Sequence, residues 1–401
     1  MPNQSFKHSS PLKQQGPYTL VLDAGTTGVK AFVFDAAEHI VAKANRSLIK
    51  SFPQPGWVEQ DPQEIISAAQ DALREVVQTA QISPLDVVGL GIAAQRETII
   101  AWDKQTSKPI YPAIVWQDIR AEQWCQEQPI GHIQLVQKRT GLPIDPYFSA
   151  SKIAWLLQNV PRAQKLLAQN QLAVGTVDSW LLWNLAEGSP HLTDYTNASR
   201  TLLFNIKTLA WDEELLAIFS IPADILPITQ PSRSNFGVLK KDIIGAALPI
   251  LAIAGDQEAS LYAAGTAAGT TKVTYGTGTF VMQILGSQFA LHEPFFTTLA
   301  VGEQPPWYAL EAKATSGIEN AEELLKNPAQ LQTHLQHLVQ SADAFIRRLP
   351  HMPIEIVIDG GWIRDGKILP IQSERSVVPV REQKIYDGTA LGIHRMMQVQ
   401  K

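Results

Sequence analysis

Residues 21–35 read VLDAGTTGVKAFVFD. Two apolar runs, Val21-Leu22 and Val29 to Phe34, flank a knot of small residues, and Asp23 and Asp35 close the runs. Glycine lets the backbone turn tightly, so the stretch predicts strand, turn, strand. Two uses of the turn stay open at this level. One is an ordinary hairpin. The other is a phosphate cradle, in which glycines let backbone N–H groups approach an anion and the hydroxyls of Thr26 and Thr27 add donors. Asp23, at its strand end, would then be placed to hold Mg²⁺ directly or through water.

The pattern recurs. Residues 271–285, TKVTYGTGTFVMQIL, are again strand, Gly/Thr turn, strand. The two turns lie about 250 residues apart, the scale of one domain. Further on, Ile354 to Ile358 predicts a strand running into Asp359-Gly360-Gly361, with helices at about 320–348 and 386–398. Between the repeats, Asp61-Pro62-Gln63-Glu64 is a helix start: Asp61 caps, Pro62 suits the first helical position and Glu64 reaches back. That helix runs to about residue 81. Strands are expected at 87–93, 99–102 and 248–254, and helices at 151–170, 176–186 and 212–219. The sum is an α/β protein of two domains, each opening with a Gly/Thr hairpin, with a boundary near residues 255–266. Two such domains face each other across a cleft, a usual place for a ligand.

Bulk properties exclude several classes. Apolar residues make up 45% of the 401, enough for two large cores. The net charge is −5 and the 33 Lys and Arg are scattered, so no basic face for nucleic acid is expected. No run of about 18 apolar residues exists to span a membrane. Cys125 is the only cysteine, so no intrachain disulfide forms, which suits a reducing cytoplasm. Residues 1–16 are polar and are expected to be a flexible tail.

Neither turn carries Gly-x-x-x-x-Gly-Lys-Ser/Thr or Gly-x-Gly-x-x-Gly, which weakens both common nucleotide-loop readings. Other clusters bear on chemistry. Ala94-Gln95-Arg96-Glu97-Thr98 follows a strand and sets opposite charges side by side. Ala254-Gly255-Asp256-Gln257 ends an apolar strand at the expected hinge. A carboxylate there is placed to face a cleft and accept a proton from an alcohol. The alternative is that Arg96 and Asp256 only neutralise one another at a domain interface.

These residues together resemble the FGGY carbohydrate kinases, most densely from about 18 to 285. The matching stretches are GWVEQDP (56–62), AAQRET (93–98), PIYPAIVWQD (109–118), TGLPIDPYFSASK (140–152), GTVDSWLLW (175–183), TDYTNASRTLLFNI (193–206), IAGDQEA (253–259) and TYGTGTF (274–280). The resemblance implies a ribonuclease-H/actin-like fold in both domains, 17–262 and 263–401, the second shortened. It implies ATP, bound mainly to the second domain, and Mg²⁺. Carried over by position, Arg96, Glu97, Tyr147, Asp256 and Gln257 hold a small polyol or sugar, and Trp116 and Phe280 contact its carbon edge. Asp256 matches the catalytic base, and Asp23 and Asp256 the metal-associated carboxylates. Thr26, Thr27, Lys30, Gly276 and Thr277 match phosphate-contacting positions, and Gly360 and Gly361 the glycines beneath the adenosine. Lys30 stands where the family's glycerol-specific members have arginine; it keeps the charge and loses the planar fork.

The implied reaction is ATP-dependent phosphorylation of a small polyol, with glycerol to glycerol 3-phosphate first among candidates. A charge pair at 96–97 offers a hydroxyl both a donor and an acceptor, and aromatic walls exclude a bulkier sugar. No nucleic-acid or membrane partner is implied, and a homo-oligomer is left open. The second domain departs from the family: its Gly-Leu-Gly-Ala-Pro-Tyr-Trp stretch is absent, and Gly361 is followed by Trp362-Ile363-Arg364-Asp365. Trp362 either stacks on adenine or blocks its pocket. The rival expectation is therefore a weakly active or inactive paralogue serving as a polyol sensor or scaffold.

Overall fold

The computed structural model describes residues 17–276, 278–302, 304, 306–315, 327–363 and 366–398. The expected tail, Thr277, the segment 316–326 and Arg364-Asp365 lie outside them.

Two six-stranded sheets organise the chain, and they share one plan. In the first, β1 (Tyr18–Ala24), β2 (Gly28–Phe34) and β3 (Ile40–Ser47) form an antiparallel meander. On the other side of β1 lie β4 (Val87–Ala94) and then β5 (Leu248–Gly255), both parallel to it. The second sheet repeats this with β6 (Thr271–Tyr275), β7 (Thr279–Gly286) and β8 (Tyr308–Thr315) as the meander. β9 (Ile356–Asp359) and β10 (Val380–Glu382) are its parallel strands. Each sheet gains a short outer strand, Val238–Leu239 beside β5 and Phe296–Leu299 beside β8. Buried on both faces, β1 reads as a continuous apolar run rather than an alternation.

Helices cover the sheets. α1 (Pro62–Ala80) begins as expected, with the Asp61 side chain accepting from the Gln63 N–H and Pro62 in the first turn. Glu64 does not reach back to Asp61; its carboxylate accepts from the Ile49 N–H instead. The single helix expected at 151–170 is two, α2 (Ser149–Asn159) and a second beginning at Pro161, because proline cannot continue the helix before it. α3 (Val177–Leu185) is buried near its expected place.

Of three further helices, the first and third tie the lobes together. α4 (Asp256–Ala264) leaves the end of β5 and leads into the second sheet. α5 (Pro328–Ile346) packs on the second sheet. The last helix, α6 (Gly388–Gln398), returns to the first sheet. Its Ile393, Met396 and Met397 share a core with Val21, Phe32, Ala93 and Ala252. Parallel strands place their carboxyl ends at a common edge, where ligands of open α/β sheets bind. Here that edge carries Asp23, Gln95 to Glu97 and Asp256 from the first sheet, and Gly276 and Gly360 from the second.

Candidate active site

A cavity of about 200 Å³ opens between the two sheet edges. Arg96, Glu97, Trp116, Tyr147, Asp256, Gln257 and Phe280 all line it, together with Thr26, Thr27 and Gly276 from the two Gly/Thr turns. Segments distant in sequence are thus brought to one place. Asp23, Lys30, Gly360 and Gly361 stand outside this lining. Gln95, Lys50, Gln117, Thr274 and Gly278 also line it and were not anticipated as site residues.

Asp256 is the first residue of α4. Its Oδ1 accepts from the Gln257 N–H at 2.8 Å and lies 3.5 Å from Arg96 Nε. Its Oδ2 makes no hydrogen bond among the described residues. Burial raises the carboxyl to about 6; Arg96 pulls down, and the charges of Asp23 and Glu97 push up. The side chain keeps 29% of its surface exposed to the cleft. A carboxylate with one free oxygen and near-neutral basicity is suited to take a proton from a bound hydroxyl.

Arg96 and Glu97 are not chiefly paired with each other; their closest approach is 3.9 Å. Arg96 Nη1 donates to Glu258 at 2.8 Å and to Glu311 at 2.6 Å, and Nη2 to Glu311 at 3.1 Å. Glu97 Oε1 accepts from Arg200 Nε at 2.6 Å. Arg200 therefore does not pair with Asp194, its neighbour in the motif. Asp194 instead caps the turn at Thr196 and Asn197 and accepts from Ser232. Arg200, Glu258 and Glu311 were missed as members of the site. A lone carboxylate in the apolar strand YALEAKAT, and another in DQEASLYAA, were the available signals, since buried acids are rarely unpaired. Glu97 also has φ of 62°, a left-handed backbone held in a tight turn by Thr98 N–H to Arg96 C=O at 2.7 Å.

The walls are held by their own bonds. Trp116 and Tyr147 meet edge to face with centroids 5.6 Å apart. The Tyr147 loop is pinned from beneath by the buried Lys152, whose ammonium donates to the carbonyls of Pro146, Tyr147 and Phe148 at 2.6, 2.7 and 2.9 Å. Gln257 has its side-chain oxygen occupied by Lys272 at 3.1 Å and Thr274 at 3.3 Å, so its amide N–H groups remain for a ligand.

At the first Gly/Thr turn, burial raises the Asp23 carboxyl above the usual range, with Lys30 the main opposing charge. Lys30 lies 3.9 Å from Asp23 and 3.5 Å from Asp387, so its charge is shared. The turns are open. A Cβ on Gly276 would meet nothing closer than 3.8 Å. Gly360 is different: φ is 103° and a Cβ would sit 2.3 Å from the Tyr275 carbonyl oxygen, so only glycine fits. Trp362 packs against the second core and His334 of α5, with ring centroids 5.9 Å apart. His334 is thus part of that packing, whereas His337, one turn on, is exposed.

The fold and site describe a two-lobed α/β protein with a small cavity between paired Gly/Thr turns. The sequence profile of the FGGY family of carbohydrate kinases, N-terminal domain, matches residues 18–263. The chain belongs to that family. It is 46% identical over 291 residues to glycerol kinase of Paracidovorax citrulli, a match covering 72% of this chain and 58% of the relative. It is 42% identical over 338 residues to glycerol kinase of Alcanivorax borkumensis, covering 83% and 67%. The matched part thus spans less than two thirds of the first of these relatives. In three dimensions it resembles Plasmodium falciparum glycerol kinase with ADP, at 27% identity and a TM-score of 0.84, over 95% of this chain and 89% of that one. No helix among the described residues is long and apolar enough to cross a membrane.

Proposed function

We propose that the protein is a cytoplasmic kinase that transfers the terminal phosphoryl group of ATP to a small polyol, glycerol first among candidates. The observation that carries this is the common cavity: Asp256, with its free oxygen, shares it with both Gly/Thr turns. The matches to glycerol kinases along most of the chain support the acceptor.

In this reading the polyol lies between Arg96, Glu97 and Gln257, with its carbon edge on Trp116 and Phe280. Asp256 takes the proton from a primary hydroxyl as that oxygen attacks phosphorus. Thr26, Thr27 and the backbone N–H groups of the turns bear the phosphate charge. The buried Asp23 carboxylate, raised in pKa and close enough to raise Asp256, fits a nearby cation. Asp23 and Asp256 would hold Mg²⁺, which supplies charge neutralisation to the phosphates when bound. Gly360 and Gly361 would lie beneath the adenosine.

The test is ADP release with glycerol, erythritol, ribulose and xylulose, alongside calorimetric titration with glycerol and with MgATP. ADP release with at least one acceptor is expected. Glycerol heat with no nucleotide heat and no ADP release would replace the kinase by a polyol sensor.

A further inference from the structure

The acceptor side of the cavity belongs to the first lobe, yet the charges behind it are completed by the second. Glu311 lies on β8, paired with Met282 of β7, and is buried. Its Oε2 is 2.6 Å from Arg96 Nη1, and its Oε1 accepts from Arg96 Nη2 at 3.1 Å and Arg200 Nη2 at 2.9 Å. Arg200 in turn holds Glu97. One carboxylate of the second lobe therefore fixes, directly or through one intermediary, both members of the 96–97 pair.

We propose that Glu311 is a positioning residue for the acceptor site, orienting Arg96 and Glu97 toward the polyol across the lobe boundary. It does not line the cavity itself. The proposal rests on the acceptor reading given above.

Counting donors shows what the arrangement achieves. A guanidinium has five N–H groups in a fixed fork. Glu258 and Glu311 take three of those on Arg96. The Nε–H, on the side of Asp256, and one Nη2–H remain for a ligand. Glu97 gives Oε1 to Arg200, and its Oε2 makes no hydrogen bond among the described residues. A donor and an acceptor are thereby left free side by side.

The experiment uses the full chain with Glu311→Gln and Arg200→Lys, the second keeping charge while losing the fork. KM and calorimetric Kd for glycerol are expected to rise on the order of tenfold to a hundredfold in both, the scale of a misplaced binding group. The KM for ATP stays within about twofold. A variant with a lower Tm but unchanged glycerol KM and Kd makes Glu311 only structural and overturns the proposal. If Glu311→Gln does not fold, unchanged glycerol binding by Arg200→Lys overturns it alone. If wild type releases no ADP with any acceptor, the kinase reading fails, while weakened glycerol heat in the variants still supports positioning. A wild type that binds none of glycerol, erythritol, ribulose and xylulose overturns both.

Discussion

The indole N–H of Trp116 donates to the hydroxyl of Thr26 at 2.8 Å. Trp116 forms the acceptor wall and Thr26 belongs to the first Gly/Thr turn, so this bond joins the two halves of the proposed reaction. Because the hydroxyl accepts from the indole, its own proton is free to point at a phosphate oxygen. Gln60 fixes the same turn through the Thr26 carbonyl at 2.8 Å.

Trp116→Phe keeps the aromatic wall and removes this donor. One neutral hydrogen bond is worth about 0.5–1.5 kcal/mol, so kcat/KM for glycerol should fall about two- to tenfold. Thr26→Ala should cost more, since it also removes a phosphate donor. The pair should be non-additive in a double-mutant cycle, with the Trp116 substitution nearly silent once the hydroxyl is gone. Additive losses would show that the tether does not couple wall and turn.

Asp256→Asn should lower kcat by ~10²–10⁴-fold, about 3–5 kcal/mol of barrier, while glycerol still binds. In the wild type the acidic limb of kcat/KM should lie near 6, with activity falling below it as the base is protonated. The same shift has a stability signature. A carboxyl raised from about 3.9 in the unfolded chain to about 6 binds more protons folded than unfolded across that interval. Stability therefore falls as pH rises from about 4 to 6, by roughly 1–3 kcal/mol, and the cost is fully present above 6. Asp256→Asn should consequently be more stable than wild type at pH 7.5 and not at pH 4, as read by chemical denaturation. A variant destabilised equally at both pH values would remove the assignment of a strained base.

Much of this was legible in the sequence because it is local. Val21 to Asp35 and Thr271 to Leu285 announce their hairpins through glycine flanked by apolar runs, and Asp61-Pro62 announces α1. What was not legible depends on pairings between distant segments. Arg96 meets Glu311 across 215 positions and Arg200 meets it across 111. Nothing in the neighbourhood of residue 96 shows that its main counter-charges are Glu258 and Glu311 rather than the adjacent Glu97. The break at Pro161 is itself local, since proline cannot continue the preceding helix.

Lys313 follows Glu311 by two residues, so both share a face of β8. Its ammonium stands 5.4 Å from the Trp116 ring centroid and 5.8 Å from that of Tyr147. A cation from the second lobe thus rests on the aromatic wall of the first, without lining the cavity itself. Lys313→Ala should open it to longer acceptors. Such a contact is worth about 0.5–1 kcal/mol at an exposed site, so the kcat/KM ratio of erythritol to glycerol should rise about two- to fivefold. An unchanged ratio would mean that Lys313 does not limit acceptor length.

Gly392 sits where α6 crosses α4. A Cβ placed there would lie 1.8 Å from the carbonyl oxygen of Ala259, a backbone atom that has no rotamer to change. Gly392→Ala therefore forces the two helices apart. Overpacking of this kind costs typically about 1–3 kcal/mol, and a backbone clash belongs at the upper end. The displacement reaches the site, because Asp256 opens α4 and its carbonyl accepts from Thr389 of α6 at 3.3 Å. The variant should show a lower Tm and, at temperatures where it remains folded, a reduced kcat and a raised glycerol Kd, because Gln257 moves with the same helix. The wall residues Trp116 and Tyr147 lie on other elements and stay where they are. Full activity in a destabilised variant would show that the helix crossing supports the fold without setting the position of the base.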